Sequence, residues 1–179
     1  MKSMAAAIEF GTSKIVTLVG EGNGSGPAQL LGYGDVPYDG YSDGHWNASD
    51  EEVEQAIMKS VREAELSSGR EIKEIYVGVP GDFIHLEQNE VVLDLESERR
   101  ITPEDVDDVM NLALDYKNQR EGATIHRSPA WFTVDVRRTM EPAGLKGQVI
   151  RCMASFVVAD PTFLEDMQAR MEQQDIQII

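Results

Sequence analysis

Cysteine is nearly missing from this chain: 179 residues hold one, Cys152, which excludes an internal disulfide framework and any cysteine-built metal site. Histidine is scarce as well. His45, His85 and His126 stand apart without ligand spacing, so a zinc centre has no footing. No apolar run approaches the roughly 18 residues that a membrane-spanning helix requires. The start has one base and several apolar residues, but Glu9 interrupts it before a signal-peptide core can form. Bases are the minority charge, 16 Lys and Arg against 32 Asp and Glu, for a formal charge of −16. Such a surface repels nucleic-acid phosphates and anionic lipid, and the bases form no dense run, so nucleic acid is excluded as a partner. The expectation is an acidic intracellular protein with 41% apolar residues from which to build a core.

Two β-prone runs, Ile8 with Phe10 and then Ile15-Val16-Thr17-Leu18-Val19, flank a short polar link and predict a hairpin. A glycine-rich turn at 21–27 leads to a third strand over 29–36, and 37–48, rich in Tyr, Asp and Gly, reads as an exposed loop. Ser49-Asp50-Glu51-Glu52 is a capping box, because the Ser49 hydroxyl can accept from the Glu52 amide while Glu52 reaches back. Val53, Ala56, Ile57, Val61 and Ala64 then form one apolar stripe at helical spacing, stopped by Gly69. A buried-type strand over 72–79 follows.

The next stretch has a different rhythm. A long strand over 83–95 precedes a helix opened by Thr102 and Pro103, with Val106, Val109, Met110, Ala113 and Leu114 as its core face. Two strands, 131–136 and 148–158, come next, joined by the turn-rich 141–147. A last helix, with Asp160 as cap and Pro161 in its first turn, turns Phe163, Leu164, Met167 and Met171 inward. The strand at 176–179 ends the chain with no polar tail, which reads as a cut end. The order is βββαβ, a strand-helix-strand-strand insert, then αβ.

The chemistry-bearing stretch is Glu9-Phe10-Gly11-Thr12-Ser13-Lys14. Glycine lets a backbone approach a phosphate closely, amides and hydroxyls can donate to it, and Lys14 can offset its charge. Glu9 would then hold a metal ion, directly or through water. Taken alone, these six residues fit an ordinary hairpin turn better than a phosphate loop. The glycines at 20–26 precede a strand where a dinucleotide fingerprint needs a helix, so a flexible turn explains them. Asp50, Glu51, Glu52 and Glu54 complement a helix dipole, and the acids at 94–108 read as a solvated face in which Arg99 and Arg100 pair locally. Cys152 reads as a buried inert thiol. No base is spaced near a nucleophile, so triad hydrolysis has no support.

The order of elements and several phrases together resemble the FtsA-like cell-division proteins of the actin and sugar-kinase superfamily. The phrases are Ile8-Glu9-Phe10-Gly11-Thr12-Ser13-Lys14-Ile15-Val16, Val19-Gly20-Glu21, Leu31-Gly32-Tyr33-Gly34, the 56–65 helix ending in Ala64-Glu65, Ile75-Tyr76-Val77-Gly78-Val79-Pro80-Gly81 and Ile101-Thr102-Pro103-Glu104-Asp105-Val106. The resemblance implies an α/β fold. Residues 1–81 and 160–179 would form an incomplete actin-like (ribonuclease H-like) first subdomain, with 82–159 an inserted α+β interaction subdomain. It implies that Gly11, Thr12, Ser13 and Lys14 surround the phosphates of ATP, with Glu9 toward Mg2+. The superfamily usually has Asp where this chain has Glu9.

The same resemblance implies partners and limits. FtsZ and other division proteins would be the partners, with self-association, at the cytoplasmic face of the division-site membrane. The second phosphate loop, the FtsZ-docking lobe and the C-terminal membrane helix of that family have no counterpart in these 179 residues. Weak ATP binding and no turnover are therefore expected of this chain, which is not read as an enzyme. The alternatives are a stand-alone interaction module or pilus-assembly relative with a vestigial phosphate loop and, least supported, a phosphotransferase of the sugar- or acetate-kinase type.

Overall fold

The computed structural model describes residues 3–24, 26–115 and 122–179. Met1 and Lys2 of the basic start, Ser25 of the glycine-rich turn and 116–121 of the insert lie outside the described residues. In chain order the elements are β1 (Ser3–Phe10), β2 (Lys14–Gly22), β3 (Gln29–Pro37), β4 (Tyr41–Ser42), β5 (His45–Trp46), α1 (Asp50–Ser68) and β6 (Glu74–Val77). After a single 3-10 turn at Gly81–Phe83 come β7 (Ile84–Arg100), α2 (Pro103–Leu114), β8 (Ala123–Val134), β9 (Arg137–Thr139), β10 (Lys146–Ala159), α3 (Pro161–Glu172) and β11 (Gln177–Ile178). They divide into two compact units, Met1–Ile84 with Thr162–Ile179, and His85–Pro161.

The first unit is a five-stranded sheet in the order β11-β6-β1-β2-β3. β1, β2 and β3 form an antiparallel meander, whereas β6 and β11 run parallel to β1 because a helix intervenes before each. Alternation sets the faces: Ala6, Ile8 and Phe10 of β1 and Ile15, Thr17 and Val19 of β2 point into one core. The capping box of α1 forms as its sequence predicts. Ser49 Oγ accepts from the Glu52 amide at 3.4 Å, and the Ser49 amide donates to Glu52 Oε2 at 2.9 Å. Gly69 closes the helix with its amide on Glu65 O at 2.8 Å. Val53, Ala56, Ile57, Val61 and Ala64 are buried as the stripe requires, each larger side chain contributing about 1.5–3 kcal/mol.

α1 lies close to the sheet because β3 carries glycines where it passes beneath. A Cβ on Gly34 would sit 2.0 Å from Ser60 O. The buried hydroxyls of Thr17 and Ser60 share a hydrogen bond of 2.7 Å across that contact. Arg170 of α3, itself buried, bonds Asp166 Oδ1 through Nε at 2.8 Å and Asp50 O through Nη1 at 3.0 Å, which fastens α3 to the start of α1.

The segment 37–48 departs from the exposed loop that its composition predicts. Asp43 and Gly44 turn a two-residue hairpin between β4 and β5. That hairpin delivers Tyr41 and Trp46 to the core, where they meet Phe10, Phe83 and Phe163. With Tyr38, six of the chain's twelve aromatic residues gather there.

The second unit is a four-stranded sheet, β7-β10-β8-β9, with α2 packed on one face. Ile150, Cys152, Ala154, Phe156 and Val158 of β10 pack with Phe132, Val134, Leu95, Val109 and Ala113. Cys152 is buried, and burial pushes its thiol up. β7 runs five residues beyond the predicted strand, and β8 begins eight residues before it. The opening of β8, with Ser128 and Pro129 in a polar run, shows no alternation, and the pairing with β10 is irregular at Met153/Ala154.

Arg99 has a defined partner in the Asp105 carboxylate. Its two terminal nitrogens donate to Asp105 at 2.6 and 2.7 Å, and Thr102 donates to the same carboxylate through its amide at 2.8 Å. Thr102 Oγ1 accepts from the Asp105 amide at 3.2 Å, completing a second capping box. The Arg99 guanidinium, then the Thr102 amide, hold the Asp105 carboxyl well below the usual carboxylate range. A carboxylate with a depressed folded pKa stabilises above its unfolded value, near 4, and that contribution is lost as pH falls toward the folded value. Asp105→Asn is expected to cost the second unit about 1–2 kcal/mol at pH 7. In urea melts the gap between variant and wild type should narrow steadily below about pH 4. A gap that is constant from pH 7 to pH 3 would exclude the ionised carboxylate as its source.

Candidate functional site

The candidate site is the turn between β1 and β2. Its ends are tied by the hairpin ladder, with Phe10 opposite Ile15 and Glu9 opposite Val16. The Gly11 amide closes the turn on Lys14 O at 2.9 Å, and a Cβ on Gly11 would lie 3.1 Å from that same oxygen. Phe10 anchors the strand from below through edge contacts with Trp46 and Phe163.

Two neighbours brace the turn from the side of the 37–48 segment. The Tyr38 amide donates to Ser13 O at 3.1 Å, and the Tyr38 hydroxyl donates to Gly11 O at 2.8 Å. Burial pushes that phenol up, so it remains a donor throughout the physiological range. Gly40 is packed against Thr12, and a Cβ there would come within 2.4 Å of Thr12 O. On the β6 side, the Gly78 amide donates to Ile8 O at 2.9 Å, beside Glu9. The backbone of the turn is therefore fixed while its side chains face out.

Those side chains are the ones the sequence singles out. Thr12, Ser13, Lys14 and Glu9 are exposed, and Gly11 is half-buried. Among the described residues no protein group engages the Thr12 or Ser13 hydroxyl. Lys14 is engaged: its Nζ lies 2.8 Å from Asp35 Oδ2, and that hydrogen bond, with the Asp35 and Glu9 charges behind it, raises the lysine. Asp35, Tyr38 and Gly40 are the members of the site that sequence reasoning missed. Asp35 becomes visible only with the β2–β3 register in hand, and Tyr38 and Gly40 were hidden in a segment read as loop.

Chemically, the turn offers hydroxyls, one ammonium and one carboxylate on a rigid backbone. That donor set fits a phosphate accompanied by a hard cation. Among the described residues no group of three or more His, Cys, Asp or Glu side chains is placed to hold a metal ion. A cation here would take Glu9 from the protein and its other ligands from phosphate and water, the mode magnesium commonly adopts. Among the described residues no helix is long and apolar enough to cross a membrane.

Comparison with known proteins supplies the wider setting. Residues 81–158 match the family described as the SHS2 domain inserted in FTSA. The cell division protein FtsA of Escherichia coli K12 is 29% identical over 147 residues, covering 82% of this chain and 34% of that protein. FtsA of Buchnera aphidicola (Schizaphis graminum) is 26% identical over 178 residues, 99% of this chain and 42% of that protein. FtsA of Enterococcus faecalis is 28% identical over 171 residues, 94% and 38% of the respective chains. The chain thus spans 34 to 42% of the length of these relatives. Among solved structures, a PilM-PilN type IV pilus biogenesis complex matches with a TM-score of 0.50 at 16% identity, covering 98% of this chain and 46% of that one. The mixed α/β fold is consistent with an actin-like subdomain carrying the SHS2 insert.

Proposed function

We propose that this chain, FtsA-like over most of its length, is the phosphate-loop lobe of an ATP-binding adaptor acting in bacterial cell division. The observation that carries the reading is the braced turn at 11–14, set in a chain whose residues 81–158 match the FtsA insert. Thr12 and Ser13 would donate to phosphate oxygens, Lys14 would offset their charge, and Glu9 would face the magnesium ion. When bound, ATP would supply the phosphates that these residues hold, and Glu9 would be the protein's carboxylate toward the ion, which also takes phosphate and water. The longer protein would link FtsZ to the cytoplasmic face of the membrane and recruit later division proteins. The insert would offer the recognition surface and the site of self-association. ATP turnover is not assigned to this chain.

A weak ligand still shifts a melting curve. At ten times its Kd, magnesium ATP should stabilise the chain by about 1.4 kcal/mol, which raises Tm by roughly 3–5 °C. Thr12→Ala and Lys14→Ala, both at exposed positions, should melt like the wild type without ligand and lose most of that rise. A wild-type Tm unmoved by 10–20 mM magnesium ATP would remove the nucleotide role from this chain. The reading as an interaction module of the FtsA or pilus-assembly kind would then lead.

A further inference from the structure

Resting on that reading of the turn, we propose that Asp35 is a built-in counter-anion for Lys14, an acid that must release the ammonium before a nucleotide phosphate can take it. The strand register makes the pairing. Lys14 opens β2 opposite Pro37, and Asp35 stands two residues back on β3, opposite Val16. Alternation puts Lys14, Val16 and Asp35 on one face of the sheet, and a diagonal of this kind is within reach of a lysine stem. The stem brings Nζ to 2.8 Å from Asp35 Oδ2.

The pair is half exposed, 53% for the lysine side chain and 41% for the aspartate. A buried pair would be locked by the penalty of leaving one charge alone. A half-exposed one is weak, so a polyphosphate can displace the carboxylate. Glu9 shares the same row, Glu9 opposite Val16 opposite Asp35, which puts a second acid on the other side of Lys14. Two acids around one ammonium disfavour a free polyphosphate and favour one whose charge is already reduced by a divalent cation. Asp35 thereby sets both the affinity of the turn and its preference for metal-complexed nucleotide.

The test is an amide NMR titration of the chain with magnesium ATP, in wild type, Asp35→Asn, Lys14→Ala and the double variant. Glu71→Gln, at an exposed acid of the same unit, controls for the change in net charge. Asp35→Asn is expected to tighten binding roughly two- to fivefold, the range open to a half-exposed pair. The gain should vanish in the Lys14→Ala background, and Glu71→Gln should leave Kd unchanged. Without nucleotide, the Lys14 side-chain titration midpoint should fall in Asp35→Asn. A Kd unchanged or weakened by Asp35→Asn, with the wild type still titrating at 11–14, overturns the counter-anion role and leaves the phosphate turn standing. A Lys14 midpoint that does not move also overturns it. A wild type that shows no shifts at 11–14 overturns the phosphate-turn reading, and this proposal with it.

Discussion

Gly34→Val is expected to weaken the first unit by about 3 kcal/mol or more, a large share of the roughly 5–15 kcal/mol that holds a domain of this size folded. The reason is distance. A Cβ at this position would lie 2.0 Å from Ser60 O, 2.8 Å from Ser60 C and 3.0 Å from Glu63 Cβ, so the obstacle is mostly helix backbone rather than a movable side-chain end. Relief requires α1 to lift from β2 and β3. That in turn breaks the buried Thr17–Ser60 hydrogen bond, whose hydroxyls have no water to turn to. Urea unfolding of wild type and variant measures the loss. A variant within 1 kcal/mol of wild type would mean that the helix does not sit on the sheet at this separation.

Phe163→Ala is expected to cost about 3–5 kcal/mol, because a buried phenyl ring lost from a packed cluster leaves a cavity the size of the ring. The ring centroid of Phe163 lies 4.8 Å from that of Phe83 and 6.0 Å from those of Phe10 and Trp46. Phe10 is the residue from which the turn at 11–14 rises, so the cavity opens beneath the candidate site. Phe163→Leu should recover more than half of the lost stability by refilling most of the volume. Equal losses in the two variants, read from the same urea melts, would argue that ring geometry rather than filled volume holds the cluster.

These two positions also mark what the sequence could and could not reveal. Phe163 falls in a helical stripe with Met167 and Met171, and its burial follows from spacing alone. The α1 capping box is likewise legible, because Ser49 and Glu52 are three residues apart and the partners are local. Gly34 is not legible in this way. A glycine in a strand signals close approach only once the element that approaches is known. The 37–48 segment was hidden for a related reason. Its tyrosines and Trp46 follow no period, since a hairpin with two-residue strands is too short to show one, and their burial depends on β1 and α3 being in place. The opening of β8 carries Pro129 and polar side chains, and it is a strand because β10 offers it a partner over almost its whole length.

The site divides along the same line. Glu9, Gly11, Thr12, Ser13 and Lys14 are contiguous, so sequence could propose them together. As bare residues they fit a plain turn, and the family resemblance favoured the phosphate loop. Asp35, Tyr38 and Gly40 reach the turn through strand register and side-chain packing, which exist only in the folded chain. Arg99 and Asp105 show the intermediate case. Local pairing among those charges was legible, but which acid receives the guanidinium was decided by the capping geometry of Thr102.

The central claim is that the braced turn between β1 and β2 receives the phosphates of a metal-bound nucleotide. The most direct measurement replaces magnesium with paramagnetic manganese, held in its ATP complex, and follows the amide resonances of the chain. The account predicts broadening centred on Glu9 and residues 11–14, reversed by excess magnesium ATP and largely lost in Thr12→Ala. Broadening centred on the acids of another surface, or none at 11–14 when the complex is present at millimolar concentration, would contradict it.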